Sequence, residues 1–396
     1  MSAAEAFALF WHGYALAIVR EERDHRRTVS TSSASASTPE PRDSSRKLPN
    51  ILATGPHALP EELLRCTEVL PPTEKIWWER VFAALRLSGL VQRSRQCRRA
   101  WAMFRKSRDF DAVVTDGALL GLTFAVLQRL RGPRRPIHVM YDCYWYGGNW
   151  LRRAFMRFCL RRVDLCVVWT RVECVRYAKT YGLPADKFAF VKHHHTLNRY
   201  QFEVGDDGYI FTGGNSDRDY RLFLDAVREL PIPCVLASNL PELLQGQSIS
   251  AHVRVVSASP TEFRQLMARA RIVVVPMQSN LLRTGGQQTF LNAMHMRKPV
   301  ILTDPEGGRD YIEHGKTGLL VPYPDVPALR DAILYLWQNA EEARGMGERG
   351  REAALPLTTE RCNVEIWNLA FGLIASRRTD QMVAERRNAQ PDERLN

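Results

Sequence analysis

Residues Arg283 to Val321 read RTGGQQTFLNAMHMRKPVILTDPEGGRDYIEHGKTGLLV. Within them, Thr284-Gly285-Gly286-Gln287-Gln288-Thr289 is a small polar turn carrying two glycines. It follows Ile272-Val273-Val274-Val275-Pro276, an apolar run that reads as a fully buried parallel strand. It precedes Phe290-Leu291-Asn292-Ala293-Met294, which reads as a helix with Lys298-Pro299 just past its end. A glycine turn at a helix N-terminus aims free backbone N–H groups and the positive end of the helix dipole at one place, and that arrangement binds phosphate. The next strand, Val300 to Asp304, delivers a second polar turn, Pro305-Glu306-Gly307-Gly308, beside the first. In an open parallel sheet such turns face the ligand crevice. The competing reading of Gly285-Gly286 is a structural turn, because a glycine pair alone carries little information.

Upstream, Gly208 to Tyr220 repeats the strand, glycine turn and helix order, with Gly213-Gly214 in the turn and Arg218 just before the helix. This is a second phosphate-cradle geometry. Cys234 to Asn239 and Val253 to Ser257 are two further strands, and Ser259-Pro260-Thr261-Glu262 signals a helix start. The N-terminal half shows the same alternation. Asn50 to Gly55, Asp111 to Asp116, Ile137 to Asp142, Asp164 to Thr170 and Phe188 to Val191 read as strands with helical patterns between them. Such alternation predicts right-handed βαβ units. The expected class is therefore α/β, with two Rossmann-like domains facing each other across a cleft near Tyr200. The expected organisation is a disordered tail over 1–46 containing a short helix (Ala4 to Glu22), a first domain over 47–197 and a linker over 198–207. A second domain over 208–353, a helix over 354–376 that returns to the first domain, and a frayed tail over 377–396 complete it.

The formal charge of +12 is concentrated. Ile76 to Tyr200 holds 24 Lys/Arg against 8 Asp/Glu. A basic half of that kind faces an anionic partner, or is a solvated basic surface. Trp150 to Arg162, WLRRAFMRFCLRR, sorts its apolar and arginine residues onto different faces at helical spacing. It reads either as a core helix with a solvated face or as a helix lying on an anionic membrane. No recognisable nucleic-acid module accompanies the arginines, so nucleic acid is not the expected partner. No apolar run approaches the ~20 residues that span a bilayer, and Ala6 to Val19 lacks the basic flank of a signal peptide. The eight cysteines form no Cys-x-x-Cys pair, which fits reduced thiols and a cytoplasmic protein. His193-His194-His195 cannot share one face of a regular element, so a hinge or loop is expected there rather than a metal site.

Val273 to Val321, with Thr303-Asp304, Gly307, Asp310, Glu313, Gly315 and Thr317-Gly318-Leu319-Leu320-Val321, resembles the C-terminal domain of retaining glycosyltransferases of family 4, which have the GT-B fold. That family usually carries two glutamates separated by seven residues; the matching positions here are Thr284 and Asn292. The resemblance implies a donor site lined by Gly213, Gly214, Asn239, Ser257, Thr284, Gly285, Gly286, Gln287, Gln288, Thr289, Asn292 and Glu306. It places the basic residue that neutralises the leaving diphosphate at Arg218. It also places Asp142 where the family often has a histidine. Asp142 would orient the acceptor or the donor sugar there, or simply cap a turn.

The expected function is transfer of a sugar from a nucleotide-sugar, a co-substrate rather than a cofactor, to an acceptor hydroxyl in glycolipid or envelope-glycan synthesis. Retention and metal independence follow from the resemblance. The acceptor would be lipid-linked or anionic, with the protein cytoplasmic or peripheral on the inner membrane face. The alternatives are a GT-B protein that binds nucleotide-sugar without catalysis, an epimerase or a phosphorylase. Because the glycine turn is expected on the cleft surface, Gly286→Val is expected to abolish turnover and spare the fold.

Overall fold

The structure is a computed structural model of the 396-residue chain. It describes residues 49–55, 59–71, 88–131, 135–143, 145, 148–197, 200, 202–278, 281–303 and 306–389. The expected N-terminal tail and its short helix, residues 76–87 of the basic half, and the last residues from 390 lie outside these.

The first domain is a parallel sheet of β1 (Ile51–Ala53), β2 (Thr67–Val69), β3 (Ala112–Asp116), β4 (Ile137–Tyr141), β5 (Leu165–Val168) and β6 (Phe188–Phe190). The strand order is β2-β1-β3-β4-β5-β6. Helices α1 (Glu61–Leu64), α2 (Ser88–Lys106), α3 (Ala118–Leu127), α4 (Trp150–Leu160) and α5 (Arg171–Tyr181) alternate with the strands. Strand β2 is absent from the sequence reading. It is a half-exposed edge strand of three residues, too short to show a period.

The second domain is a parallel sheet of β7 (Ile210–Gly213), β8 (Cys234–Ala237), β9 (Val253–Val256), β10 (Ile272–Val275), β11 (Val300–Thr303) and β12 (Leu319–Val321), in the order β12-β11-β10-β7-β8-β9. Its helices are α6 (Tyr220–Val227), α7 (Pro260–Arg269), α8 (Gln287–His295), α9 (Val326–Gln338) and α10 (Ala340–Ala354). The packing on β10 explains why its sequence is apolar throughout. Val273 and Val275 join one core with Phe290, Leu291 and Met294 of α8. Ile272 and Val274 point to the opposite face, into a core built with α6 and α9. Local signals set the helix starts. Ser259 and Glu262 form a reciprocal capping box on α7, and Asp219 and Asp325 accept the Leu222 and Ala328 N–H groups of α6 and α9.

Strand order reverses between β1 and β3 in the first sheet and between β7 and β10 in the second. Loops leaving the carboxyl ends of strands on either side of such a reversal splay apart and open a crevice. Helix α11 (Thr359–Ala389) then packs on the first sheet, burying Ile366, Trp367, Ala370 and Ile374 among Ile51, Val114 and Val139. The Trp367 indole N–H donates to Thr67 Oγ1 at 2.8 Å. The helix continues past the expected end at 376, where a frayed tail was expected. Arg377 donates to the Arg135 carbonyl at 2.8 Å and Arg378 pairs with Asp111 at 2.9 Å, which hold this part of the helix to the first domain.

Candidate functional site

The loops after β7 and β10 meet at the second sheet's reversal point. Arg218 lies between them and is only 4% exposed. Its Nε donates to the Gly213 carbonyl at 3.0 Å and its Nη1 to the Ser216 carbonyl at 2.8 Å. Nη1 also reaches Met277 Sδ at 2.6 Å, and Nη2 donates to Thr289 Oγ1 at 2.9 Å. These partners are carbonyls, a hydroxyl and a thioether; none is a carboxylate. The neighbouring acids are committed elsewhere. Asp217 pairs with the buried Arg283, and Asp219 caps α6 while accepting the Tyr323 hydroxyl at 2.8 Å. Burial pushes the Arg218 pKa down; Tyr220 and the Asp217 charge oppose that, and the Arg283 charge adds to it. A buried guanidinium with no carboxylate partner among the described residues favours an incoming anion.

Helix α8 begins at the same place. Phe290 N–H makes the helix's first bond, to the Gly286 carbonyl at 3.0 Å, so the Gln287, Gln288 and Thr289 N–H groups precede the intrahelical ladder. Gly286 is the N-cap, at φ +84°. A Cβ there would lie 2.9 Å from Met277 Sδ and 3.2 Å from Val275 Cγ1. The expectation that Gly286→Val spares the fold is therefore corrected: this turn is packed against the end of β10. Gly285 is buried, against Met277 and Asp217, while Gly286 is half-buried. Gly213 and Gly214 lie under the Arg218 guanidinium, and the Gly214 carbonyl accepts the Tyr220 hydroxyl at 2.5 Å.

Several of the expected donor residues instead engage the first domain. Thr284 donates its N–H at 2.8 Å and its hydroxyl at 3.1 Å to the carboxylate of Glu173, which is buried in the first turn of α5. Glu173 also accepts the Trp169 N–H at 3.0 Å, and Gln287 Nε2 donates to Thr284 Oγ1 at 2.8 Å. Asn292 accepts the Thr196 N–H at 2.9 Å, and Gln288 reaches the Thr196 hydroxyl at 3.3 Å. Glu306 pairs with Arg176 at 2.5 Å, and Asp310 accepts from both the backbone and the guanidinium of Arg171. Tyr311 receives the His193 N–H at 2.8 Å and donates to the Trp169 carbonyl. Gly307 lies so close to the first domain that a Cβ would stand 2.5 Å from Thr170 Cγ2. The strand ends of the two sheets thus face each other and are tied together. Glu173 escaped the sequence reading because a lone glutamate early in a helix looks like an ordinary first-turn acid.

Asp142 follows β4 in the left-handed region, at φ +57°, a conformation that aspartate tolerates. The Trp169 indole N–H reaches its Oδ1 at 3.4 Å. Trp169 stacks on His193 with ring centroids 4.7 Å apart. His194 Nδ1 lies 3.0 Å from Thr359 Oγ1, and His195 packs on His295 at 4.1 Å. His194 thus joins this segment to α11 and His195 joins it to α8, while His193 packs on Trp169. Burial pushes the His193 pKa well down and lowers that of His195 to about 4; burial of His138 within the first sheet lowers it to about 3.

The unfolded chain protonates histidine below about 6.5, while these buried rings stay neutral, so the unfolded state binds more protons and stability falls with pH. Unfolding free energy is expected to drop by up to about 1.4 kcal/mol per pH unit for each of His138 and His195 between about pH 6.5 and 4. Glu173 works against this trend, because burial pushes its carboxyl up and the folded form takes a proton sooner. Urea midpoints at pH 7 and pH 5 check the sum, and equal midpoints would contradict it.

Two Asp-x-Asp triplets occur, Asp109-Phe110-Asp111 and Asp217-Arg218-Asp219. Asp111 accepts the Asn50 N–H and the Arg378 guanidinium, and Asp217 and Asp219 are engaged as described above. Among the described residues no cluster of three or more His, Cys, Asp or Glu is placed to hold a metal ion.

Residues 209–339 match the family model of the glycosyl transferases group 1. Arg218 and all the expected donor residues fall inside this span; Asp142 and Glu173 fall outside it. The chain is 28% identical over 182 residues to the D-rhamnosyltransferase WbpZ of Pseudomonas aeruginosa, covering 44% of this chain and 47% of that one. It is 30% identical over 151 residues to an exopolysaccharide phosphotransferase of Streptomyces coelicolor, covering 38% of this chain and 16% of that one. The chain thus spans less than half the length of either curated relative. Sucrose-phosphate synthase of Thermosynechococcus elongatus superimposes with a TM-score of 0.60 at 18% identity, over 78% of this chain and 84% of that one. HepE of Anabaena, solved with UDP-glucose, superimposes with a TM-score of 0.56 at 12% identity, over 83% and 99%. The fold is GT-B: two parallel six-stranded sheets with interleaved helices.

Within the matched span, Asn239 and Ser257 follow β8 and β9. Both are exposed, and the Ser257 hydroxyl donates to Asn239 Oδ1 at 2.8 Å. Asn239 N–H donates in turn to Asn215 Oδ1 at 3.0 Å, so the three turns after β7, β8 and β9 form one connected rim.

Proposed function

We propose that the chain is a glycosyltransferase that moves a sugar from a nucleotide-sugar to an acceptor hydroxyl, as a divergent member of family 4. The reaction proceeds with retention and without metal, in the synthesis of a glycolipid or envelope glycan. The observation that carries this reading is the buried Arg218, without a carboxylate partner among the described residues, beside the α8 N-terminus at the reversal point of the second sheet. A departing nucleoside diphosphate develops about two negative charges, and one guanidinium with a helix N-terminus offsets them. The bond from the anomeric carbon to the phosphate oxygen breaks, the bond to the acceptor oxygen forms, and the hydroxyl proton passes to a donor phosphate oxygen. The transition state is oxocarbenium-like, as in glycoside hydrolysis. Asp142 orients the acceptor from the first domain. Asn239 and Ser257 border the base. The name of WbpZ and the UDP-glucose bound by HepE support the donor class. The protein works at the inner face of a membrane on a lipid-linked or anionic acceptor.

Nucleoside diphosphates should raise the melting temperature, because a ligand at a hundred times its dissociation constant stabilises by about 2.7 kcal/mol. No shift with any nucleoside diphosphate or nucleotide-sugar would sink the reading. A second reading, a donor-binding protein without turnover, is favoured by Thr284 and Asn292, whose side chains are engaged with Glu173 and Thr196. Consumption of a stabilising nucleotide-sugar separates the two.

A further inference from the structure

Helix α4 carries two apolar faces where a helix at a domain surface needs one. Met156, Cys159 and Leu160 are buried against the first domain. Leu151, Phe155 and Phe158, at spacings of four and three, lie on another face with exposures of 61%, 56% and 46%. At about 100° per residue the mean directions of the two sets are roughly 130° apart. Trp150, at the exposed end of the helix, is 72% exposed. The Asn149 side chain accepts the Arg152 N–H at 3.0 Å and fixes the start of the helix.

The outer stripe is bordered by charge of one sign. Arg161 flanks it on one side and Arg152 on the other, both exposed, each roughly 90° from the stripe at about 100° per residue, whereas Arg153 and Arg157 lie farther round the helix. Arg129, from the end of α3, lies over the Phe158 ring at 3.6 Å. From Asn149 to Val163 the chain contains no acidic residue. Exposed aromatic and aliphatic side chains cost solubility unless something covers them. Arginines on both flanks select an anionic cover with an apolar interior, which is a description of an acidic bilayer surface.

We propose that the outer face of α4 docks on anionic phospholipid, with Trp150, Leu151 and Phe155 entering the headgroup boundary and Arg152 and Arg161 resting on the phosphates. This deepens the peripheral placement proposed above and rests on it for its role, but it does not depend on the transfer chemistry. Among the described residues no helix is long and apolar enough to cross a membrane.

The test is co-sedimentation of the full chain with phosphatidylcholine vesicles, with and without phosphatidylglycerol, at low and high salt. Wild type is expected on the acidic vesicles at low salt and to leave them as salt rises. Trp150→Ser with Leu151→Ser and Phe155→Ser should weaken binding at least about tenfold, since these are the buried apolar groups of the contact. Each of Arg152→Gln and Arg161→Gln should weaken it about fivefold. The substituted side chains are exposed, so melting temperatures are expected to stay at the wild-type value, and activity on a water-soluble acceptor should be unchanged. Vesicle binding that is lost in these variants supports the surface even if no sugar transfer is ever detected. Absence of wild-type binding to acidic vesicles at low salt overturns it. So does binding that the serine substitutions leave unaltered, or capture of random-sequence RNA with indifference to vesicles.

Discussion

Arg218→Ala is expected to weaken nucleoside-diphosphate binding by about 1.5–3 kcal/mol, one to two orders of magnitude in affinity. The wild-type guanidinium is held from below by Gly213, Ser216, Met277 and Thr289, so its position is set before any ligand arrives. Alanine removes both the charge and the brace between the β7 loop and the first turn of α8, so a lower melting temperature is expected alongside the weaker binding. Arg218→Lys separates these effects. Lysine restores the charge but cannot donate to the Gly213 and Ser216 carbonyls and Thr289 from one planar fork. It should recover part of the affinity while leaving the loop loosened. Calorimetric titration with a nucleoside diphosphate reads the outcome directly. Equal affinity in wild type and Arg218→Ala would reduce Arg218 to a structural brace and remove the main support for the transferase reading.

For Gly286→Val the expected result is a loss of about 2–5 kcal/mol of folding stability, combining left-handed backbone strain with overpacking. The strain arises because Gly286 caps α8 at φ +84°, a region closed to a β-branched residue. The overpacking arises because Met277 Sδ and Val275 Cγ1 already occupy the space a side chain needs. Gly286→Ala carries the same backbone strain with less bulk and should lose less. Urea denaturation of the two variants checks the order. If valine leaves stability within about 0.5 kcal/mol of wild type, the size of an ordinary surface substitution, the packed turn described here is wrong. The remaining folded fraction is also expected to turn over slowly, because a displaced α8 N-terminus no longer meets Arg218.

Much of this molecule is legible locally. The run Ile272 to Val275 is buried on both faces and reads as a central strand without further information. Ser259-Pro260-Thr261-Glu262 carries its own capping box, the Gly213-Gly214 turn ends β7, and Gly285-Gly286 leads into the start of α8. Each of these signals depends on residues within one turn or one strand of each other, and periodicity and capping act over that range. Helix α10 is not legible in the sequence although Glu341 and Glu342 mark its first turn, because Gly345, Gly347 and Gly350 and a mostly charged composition give a weak helical pattern.

The site is a different matter. Sequence by itself determined the two β/α series, the glycine turns and the presence of an arginine before α6. Only the tertiary structure decided that Arg218 is buried without a carboxylate, because Asp217 turns to Arg283 and Asp219 to its helix. Only the tertiary structure set Thr284 against Glu173, more than a hundred residues earlier, and Asn292 against Thr196. It also left one apolar face of α4 outside the core while burying the other. The physical reason is common to all three. A side chain's partner is chosen by which strand ends the sheet order brings together, and hydrogen bonds and burial between distant segments leave no period in the chain from which they can be read.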